Sequence, residues 1–188
     1  MRETPKHAEE TLRRMEEYSR AHDNTYSVPR EEGHFLHTLV ELYQPKRILE
    51  LGTSIGYSGT WMGLAAKEYG GKLITIEIDA AKIKMAQENF NAAGLSETAK
   101  IIRGDINREL KKLAGKFELV FMDSEKEEYL KHFRLFRPRL HKKAVIAADN
   151  AGTHPRQMRD YLDFIRTAKD FDSVFVPIGN GIELSMRK

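Results

Sequence analysis

The stretch Glu50-Leu51-Gly52-Thr53-Ser54-Ile55-Gly56-Tyr57-Ser58 constrains this chain more than any other. It follows an apolar run at residues 48–51, which reads as a buried strand, and leads into residues 59–67, which read as a helix. Strand, glycine-rich turn and helix frame a nucleotide-binding crevice. A dinucleotide fold asks for G-x-G-x-x-G, because backbone must approach a pyrophosphate at a helix N-terminus. Here the spacing is E-x-G-x-x-x-G, with an acid ahead of the first glycine. A carboxylate in that place repels a diphosphate and suits a cationic ligand, such as one carrying an ammonium group. The spacing therefore argues against a dehydrogenase.

Before this turn the chain reads as a helical arm and loop over residues 1–26. Thr4 and Pro5 offer an N-cap and a first helical position, and Ala8, Leu12, Met15 and Tyr18 recur at helical spacing. Residues 23–29 read as a loop, and Phe35, Leu36, Leu39, Val40 and Tyr43 mark a helix that ends before Pro45. After that, strands and helices alternate. Strands are expected at 48–51, 73–78, 100–103, 117–122, 144–148, 174–178 and 182–186. Helices are expected at 59–67, 81–92, 129–136 and 157–168, with a short helical turn after Ile106. This alternation predicts an α/β domain: a seven-stranded, mostly parallel sheet with helices on both faces. Gly179-Asn180-Gly181 joins the last two strands so tightly that they must form an antiparallel hairpin.

With 188 residues the chain reads as one domain, residues 1–188. It contains no cysteine, which excludes disulfides, thiolate metal sites and thiol catalysis. The N-terminus shows no apolar signal segment and no run is long enough to span a membrane, so the expectation is a cytoplasmic protein with no membrane partner. The 31 basic residues are nearly balanced by 28 acidic ones. That balance is no strong nucleic-acid signature, although a pI of about 9.0 leaves RNA open.

Three groups of residues carry the chemistry. Glu77 closes the second expected strand about 20 positions beyond Gly56, where an acid typically accepts hydrogen bonds from ribose hydroxyls. Asp79 reads instead as a helix N-cap. Gly104-Asp105-Ile106 closes the third strand, and Asp105 reads as a turn residue that caps the next short helix. Asp123 closes the strand 117–122, and Asp149-Asn150 closes the strand 144–148. Both fall at C-terminal strand ends, where open α/β sheets place their ligands. Adjacent strands lie about 4.8 Å apart, so if these two are neighbours their end residues can share one ion. Two carboxylates and an amide oxygen are hard ligands suited to Mg²⁺, Ca²⁺ or Mn²⁺. Lys126 stands three residues after Asp123, near enough to face the same ion.

These residues resemble those of the class I methyltransferases, which use S-adenosylmethionine, a cationic ligand, in a Rossmann-like fold with a C-terminal antiparallel hairpin. The narrower resemblance is to the cation-dependent O-methyltransferases, which include caffeoyl-coenzyme A and catechol O-methyltransferases. It runs from Val28-Pro29-Arg30-Glu31-Glu32-Gly33 to Pro177-Ile178-Gly179-Asn180-Gly181-Ile182. It implies cofactor contacts at Val28, Glu50, Gly52, Thr53, Ser58, Glu77, Ile78, Asp105, Ile106 and Asp123. It implies metal ligation by Asp123, Asp149 and Asn150, with Asp123, Lys126 and Tyr129 matching a D-x-x-K-x-x-Y motif and Lys126 as the catalytic lysine. The implied activity is methylation of a small hydroxylated acceptor with adjacent oxygens, in a protein that forms homodimers in many members. Two features depart from the pattern. The family often places an apolar or aromatic residue soon after Asp-Asn, where this chain has Ala151-Gly152-Thr153-His154-Pro155, and its usual aspartate before the last glycine is Asn180.

Two rival readings remain at this level. One keeps the chemistry and makes the acceptor a hydroxylated tRNA base, although no basic run interleaved with aromatics supports it. The other is a non-catalytic cofactor-binding or interaction module. Of the remaining residues, Trp61 reads as core, His34 and His37 as an ordinary half-buried pair, and His154 as a solvent-facing loop histidine.

Overall fold

The apolar run after Pro45 forms the central strand, β1 (Arg47–Leu51), whose residues 48–51 are all buried. The structure, a computed structural model, describes residues 6–22, 24, 25 and 27–188. The expected cap at Thr4 and Pro5, and Asp23 and Tyr26 of the loop, lie outside the described residues. Two helices precede β1, α1 (Lys6–Ala21) and α2 (Arg30–Tyr43). After it come α3 (Tyr57–Lys67), β2 (Lys72–Glu77), α4 (Ala80–Ala92), β3 (Ala99–Arg103), α5 (Ile106–Lys112) and β4 (Phe117–Met122). The chain ends with α6 (Tyr129–Phe136), β5 (Leu140–Ala148), α7 (Arg159–Thr167), β6 (Phe171–Val176) and β7 (Ile182–Arg187). The strands form one sheet in the order β3-β2-β1-β4-β5-β7-β6. The first five run parallel, and β7 is antiparallel to both β5 and β6. Among the described residues no helix is long and apolar enough to cross a membrane.

Alternation along the inner strands builds two cores. Ile48, Leu119 and Phe121 face a layer made by α1, α2, α3 and α4, with Leu36, Trp61, Met62 and Phe90 in it. Leu49, Leu51, Val120 and Met122 face α5, α6 and α7, with Tyr129, Phe133, Phe136, Tyr161 and Ile165. Trp61 is core, as expected, and reaches α2 because Gly33 leaves room: a Cβ there would fall 2.3 Å from the indole nitrogen. The stripe Ala8, Leu12 and Met15 seats α1 on the same layer.

Strand 6 differs from expectation, spanning Phe171–Val176 rather than 174–178. Pro177 has no N–H to give to a ladder, so the strand stops before it, and the Ile178 N–H turns back to the Val176 carbonyl at 2.9 Å. Strand 5 is longer than expected and starts at Leu140. Its register against β4 shifts between Phe117 and Leu119, and Lys143 in the same stretch has φ 62°. Helix α3 starts at Tyr57 because Gly56, with φ 87°, caps it in the left-handed region. The expected helix 157–168 runs from Arg159 to Thr167.

The sheet order reverses between β1 and β4, which opens a crevice at their C-terminal ends. The strand ends stay in register there: Gly104 N–H donates to Glu77, Gly52 to Ile76, Asp123 to Leu51 and Asp149 to Met122, at 2.8–3.2 Å. Gly52 sits at the centre with φ 96°, and a Cβ on it would fall 2.0 Å from the Asp123 carbonyl oxygen. Gly52→Ala should therefore destabilise the protein by roughly 2–4 kcal/mol, since strain and a backbone clash add. Denaturant unfolding checks this; an unchanged midpoint would mean the two strand ends are free to separate.

Candidate active site

The strand ends enclose a cavity of about 860 Å³. Its first wall is the glycine turn. Glu50, the last but one residue of β1, is fully buried and accepts a 2.6 Å hydrogen bond from Ser58 in the first turn of α3. Gly59 leaves room for the acid, since a Cβ there would meet Glu50 Oε2 at 2.9 Å. That oxygen is buried without a partner. Burial pushes the Glu50 carboxyl up to about 7, against the Ser58 hydrogen bond, which favours the charged form. Glu50 lies behind the wall rather than on it, since its partner Ser58 borders the cavity and Glu50 does not; a buried acid so placed favours a cationic ligand in front of it.

The second wall is Glu77. Its Oε1 accepts from the N–H groups of Ile78 at 2.9 Å and Asp79 at 3.0 Å, and its Oε2 from Ser54 N–H at 2.9 Å. The carboxylate is thereby fixed between the glycine turn and the end of β2. Ile78 follows, 65% exposed, an apolar side chain left uncovered at the cavity rim. Asp79 caps α4 through Ala81 and Lys82 N–H, and Asp105 caps α5 through Arg108 N–H. Asp105, Ile106 and Val28 also border the cavity. Thr53 borders it too, but its hydroxyl is engaged with that of Thr75.

The third wall is acidic. β4 and β5 are neighbours, with Met122 paired to Ala148, so Asp123 and Asp149 project from adjacent strand ends. Lys126 Nζ lies 2.9 Å from Asp123 Oδ1 at the start of a 3-10 turn, Lys126–Glu128, that runs into α6. Burial holds the Asp123 carboxyl above its usual range, opposed by Lys126. Burial and the Asp123 charge raise Asp149 to about 6. Asn150 has φ 67° and a buried Oδ1 with no partner. Asn180, in the hairpin loop, donates to Asp149 Oδ2 at 3.3 Å. Two carboxylates and an unmet amide oxygen match the oxygen set that a small divalent cation takes. Among the described residues no three His, Cys, Asp or Glu side chains come together as a metal-holding group, here or elsewhere, so the set rests on two carboxylates and the amide.

Three residues that border this cavity, Tyr57, Lys82 and His132, were not anticipated, nor was Glu32, which lies behind Asn180. Glu32 is fully buried, accepts from Asn180 N–H at 3.0 Å, and is raised to about 9 by burial and then by Asp149. It lies on the Glu32, Leu36, Val40 stripe that α2 buries, so helical spacing from the apolar residues could have found it. His132 is buried and bonds Ser124 across 3.1 Å, and burial lowers it to about 4. Tyr57 borders the cavity and donates to Glu16 on α1 at 2.6 Å, which Arg30 also reaches at 2.6 Å. Lys82 is also among the lining residues.

The Glu50 shift carries a sign that can be measured. Its carboxyl is raised from 4.5 to about 7, so the folded protein holds a proton that the unfolded chain releases. The stability this group contributes is full below pH 4.5 and is lost as pH rises to about 7. Glu50→Gln should flatten that part of the profile and make the ligand-free protein more stable at pH 8, by ~1–3 kcal/mol. Urea unfolding of both proteins across pH decides; parallel profiles would show that Glu50 is ionised throughout.

The geometry agrees with what the chain resembles. An O-methyltransferase family model matches residues 2–188. The catechol O-methyltransferase of Niastella koreensis is 40% identical over 132 residues, 66% of this chain and 58% of that protein. That of Mycobacterium tuberculosis is 31% identical over 125 residues, 66% of this chain and 56% of that protein. The chain thus spans less than two thirds of these relatives' length. The O-methyltransferase TomG of Streptomyces achromogenes, solved in complex with SAM, superposes with a TM-score of 0.85 at 25% identity, over 95% of this chain and 90% of that one. The sheet order, the glycine turn and this match along nearly the whole sequence place the chain in the O-methyltransferase family.

Proposed function

We propose that this protein is an S-adenosylmethionine-dependent O-methyltransferase that needs a divalent cation and acts on a small acceptor with adjacent hydroxyls, catechol-like in its chemistry. The observation that carries the reading is the double role of Asp123. Its backbone carbonyl packs against Gly52 in the glycine turn, while its carboxylate faces Lys126 and the Asp149 side. The cradle for a cationic cofactor and the oxygen set for a metal ion therefore meet at one residue. The relatives named catechol O-methyltransferase and the SAM-bound neighbour support the same reading.

In this reading Glu77 holds the ribose hydroxyls, and Glu50 with Ser58 sets the electrostatics of the cofactor's cationic end. Val28, Ile78 and Ile106 give apolar contact. Asp123, Asp149 and Asn150 hold Mg²⁺ or a similar hard cation. When bound, the cofactor supplies the methyl group and the cation stabilises the oxyanion of the acceptor. Lys126 would take the proton from the acceptor hydroxyl at Nζ as the oxygen gains the methyl group and the methyl–sulfur bond breaks. Its Nζ stands 2.9 Å from Asp123 Oδ1, beside the carboxylate that would hold the cation, and so within reach of an acceptor placed there. The walls would hold cofactor and acceptor against one another, so much of the rate enhancement would come from positioning.

Two outcomes follow. Exhaustive chelation should abolish methyl transfer to a catechol acceptor and leave S-adenosylmethionine binding within about a factor of three by calorimetry, because Glu50 and Glu77 stand apart from the metal set. Full turnover after chelation would refute the metal requirement. Lys126→Ala should lower turnover at saturating metal by ~10²–10⁴-fold, the range for loss of a general base. A surface ion pair is worth only about 0–1 kcal/mol, so near-normal turnover would reduce Lys126 to that role.

A further inference from the structure

The segment that departs from the family pattern holds a polar chain leading to the candidate metal site. Asn150 Nδ2 donates to Thr153 Oγ1 at 3.0 Å, and Thr153 Oγ1 lies 2.9 Å from His154 Nδ1. Backbone bonds fix the segment. Thr153 N–H donates to the Asn180 carbonyl at 3.0 Å, and His154 N–H to the Asn150 carbonyl at 2.8 Å. Asn150 itself is pinned at φ 67°.

An asparagine amide can turn either edge toward a site, and the two edges have opposite meaning for a cation. The oxygen ligates it. The NH₂ edge repels it, and in this cavity the carboxylates of Asp123 and Asp149 would attract that edge. Thr153 decides between them. When its hydroxyl proton goes to His154 Nδ1, its lone pair is left for Asn150 Nδ2, and the amide oxygen is turned away from Thr153. That oxygen, Asn150 Oδ1, is buried and has no partner. The same arrangement puts the ring proton of a neutral His154 on Nε2.

Resting on the metal reading above, we propose that Thr153, polarised by His154, is a positioning residue that orients the Asn150 amide oxygen toward the cation. It takes the place that outer hydrogen-bond partners hold around other metal sites, where their loss weakens metal affinity by ~10–100-fold. Neither Thr153 nor His154 need touch the ion. The polar pair also leaves a small hydrophilic rim where the family often has an apolar or aromatic residue.

The test is Mn²⁺ binding, followed by the electron paramagnetic resonance signal of free Mn²⁺, in wild type, Thr153→Val and Thr153→Ser. Thr153 is exposed, and S-adenosylmethionine affinity in each variant serves as the check of an intact fold. The expected result is Mn²⁺ affinity about 10-fold or more weaker in Thr153→Val, near wild type in Thr153→Ser, and unchanged cofactor affinity in both. The Val penalty should shrink when combined with Asn150→Asp, because a carboxylate presents oxygen whichever way it turns. If wild type binds Mn²⁺ and Thr153→Val binds it equally well, the relay is wrong and the metal reading stands. An equal penalty in the Asn150→Asp background would also overturn it, since Thr153 would then act by another route. If wild type binds no Mn²⁺, the metal reading fails and takes the relay with it.

Discussion

The contact between Gly52 and Asp123 fixes everything around the cavity. β1 and β4 can bring their ends together only because Gly52 has no side chain, a Cβ there falling 2.0 Å from the Asp123 carbonyl. The parallel ladder then runs one residue past β3, β1, β4 and β5, with Gly104 bonded to Glu77, Gly52 to Ile76, Asp123 to Leu51 and Asp149 to Met122. Each of those residues, or its neighbour, lines the cavity. A bulkier turn would part β1 from β4 and separate the glycine turn from the acidic wall. The two halves of the proposed chemistry are adjacent for this geometric reason.

The cavity and the layer behind it gather acidic groups at an energetic cost. Glu32, Glu50, Asp123 and Asp149 are all held above the usual carboxylate range, with burial the largest cause in each. Buried unpaired acids are expensive unless a cation or proton compensates them. Here the compensation is partial: Lys126 beside Asp123, Ser58 on Glu50, Asn180 on Asp149 and on Glu32. Glu50 Oε2 and Asn150 Oδ1 remain buried and unmet, and so do Glu32 Oε1 and Asn107 Oδ1. A cationic cofactor near Glu50 and a divalent ion at Asn150 would improve the balance, which is the pattern expected where stability is traded for binding.

Much of this was legible in the sequence because it is local. The glycine spacing, the acids at strand ends and the tight Gly179-Asn180-Gly181 hairpin each depend on neighbours along the chain, and the antiparallel end of the sheet follows from the last; the order of the strands comes from the structure. Boundaries moved where a pairing partner decided them. Strand 6 reaches back to Phe171 because Arg187 and Met186 pair there, and β5 extends to Leu140 through its irregular register with β4. Glu32 was hidden because it resembles an ordinary acid in the first turn of a helix. Its meaning comes from Asn180, 148 positions away. His132 and Tyr57 likewise acquire their setting from Ser124 and from Glu16 on a distant helix. Thr53 shows the converse: the turn gives it a cavity position, but Thr75 on the next strand engages its hydroxyl.

The central claim is that one divalent ion sits between Asp123, Asp149 and Asn150, next to S-adenosylmethionine held by Glu50 and Glu77. Anomalous diffraction at the manganese edge, from crystals grown with Mn²⁺ and S-adenosylmethionine, tests it most directly. A single peak within ligand distance of those three side chains, with the cofactor's sulfonium facing it across the cavity, is the predicted result. Cofactor density in the cavity with no peak at the ends of β4 and β5, or with a peak elsewhere, would contradict it.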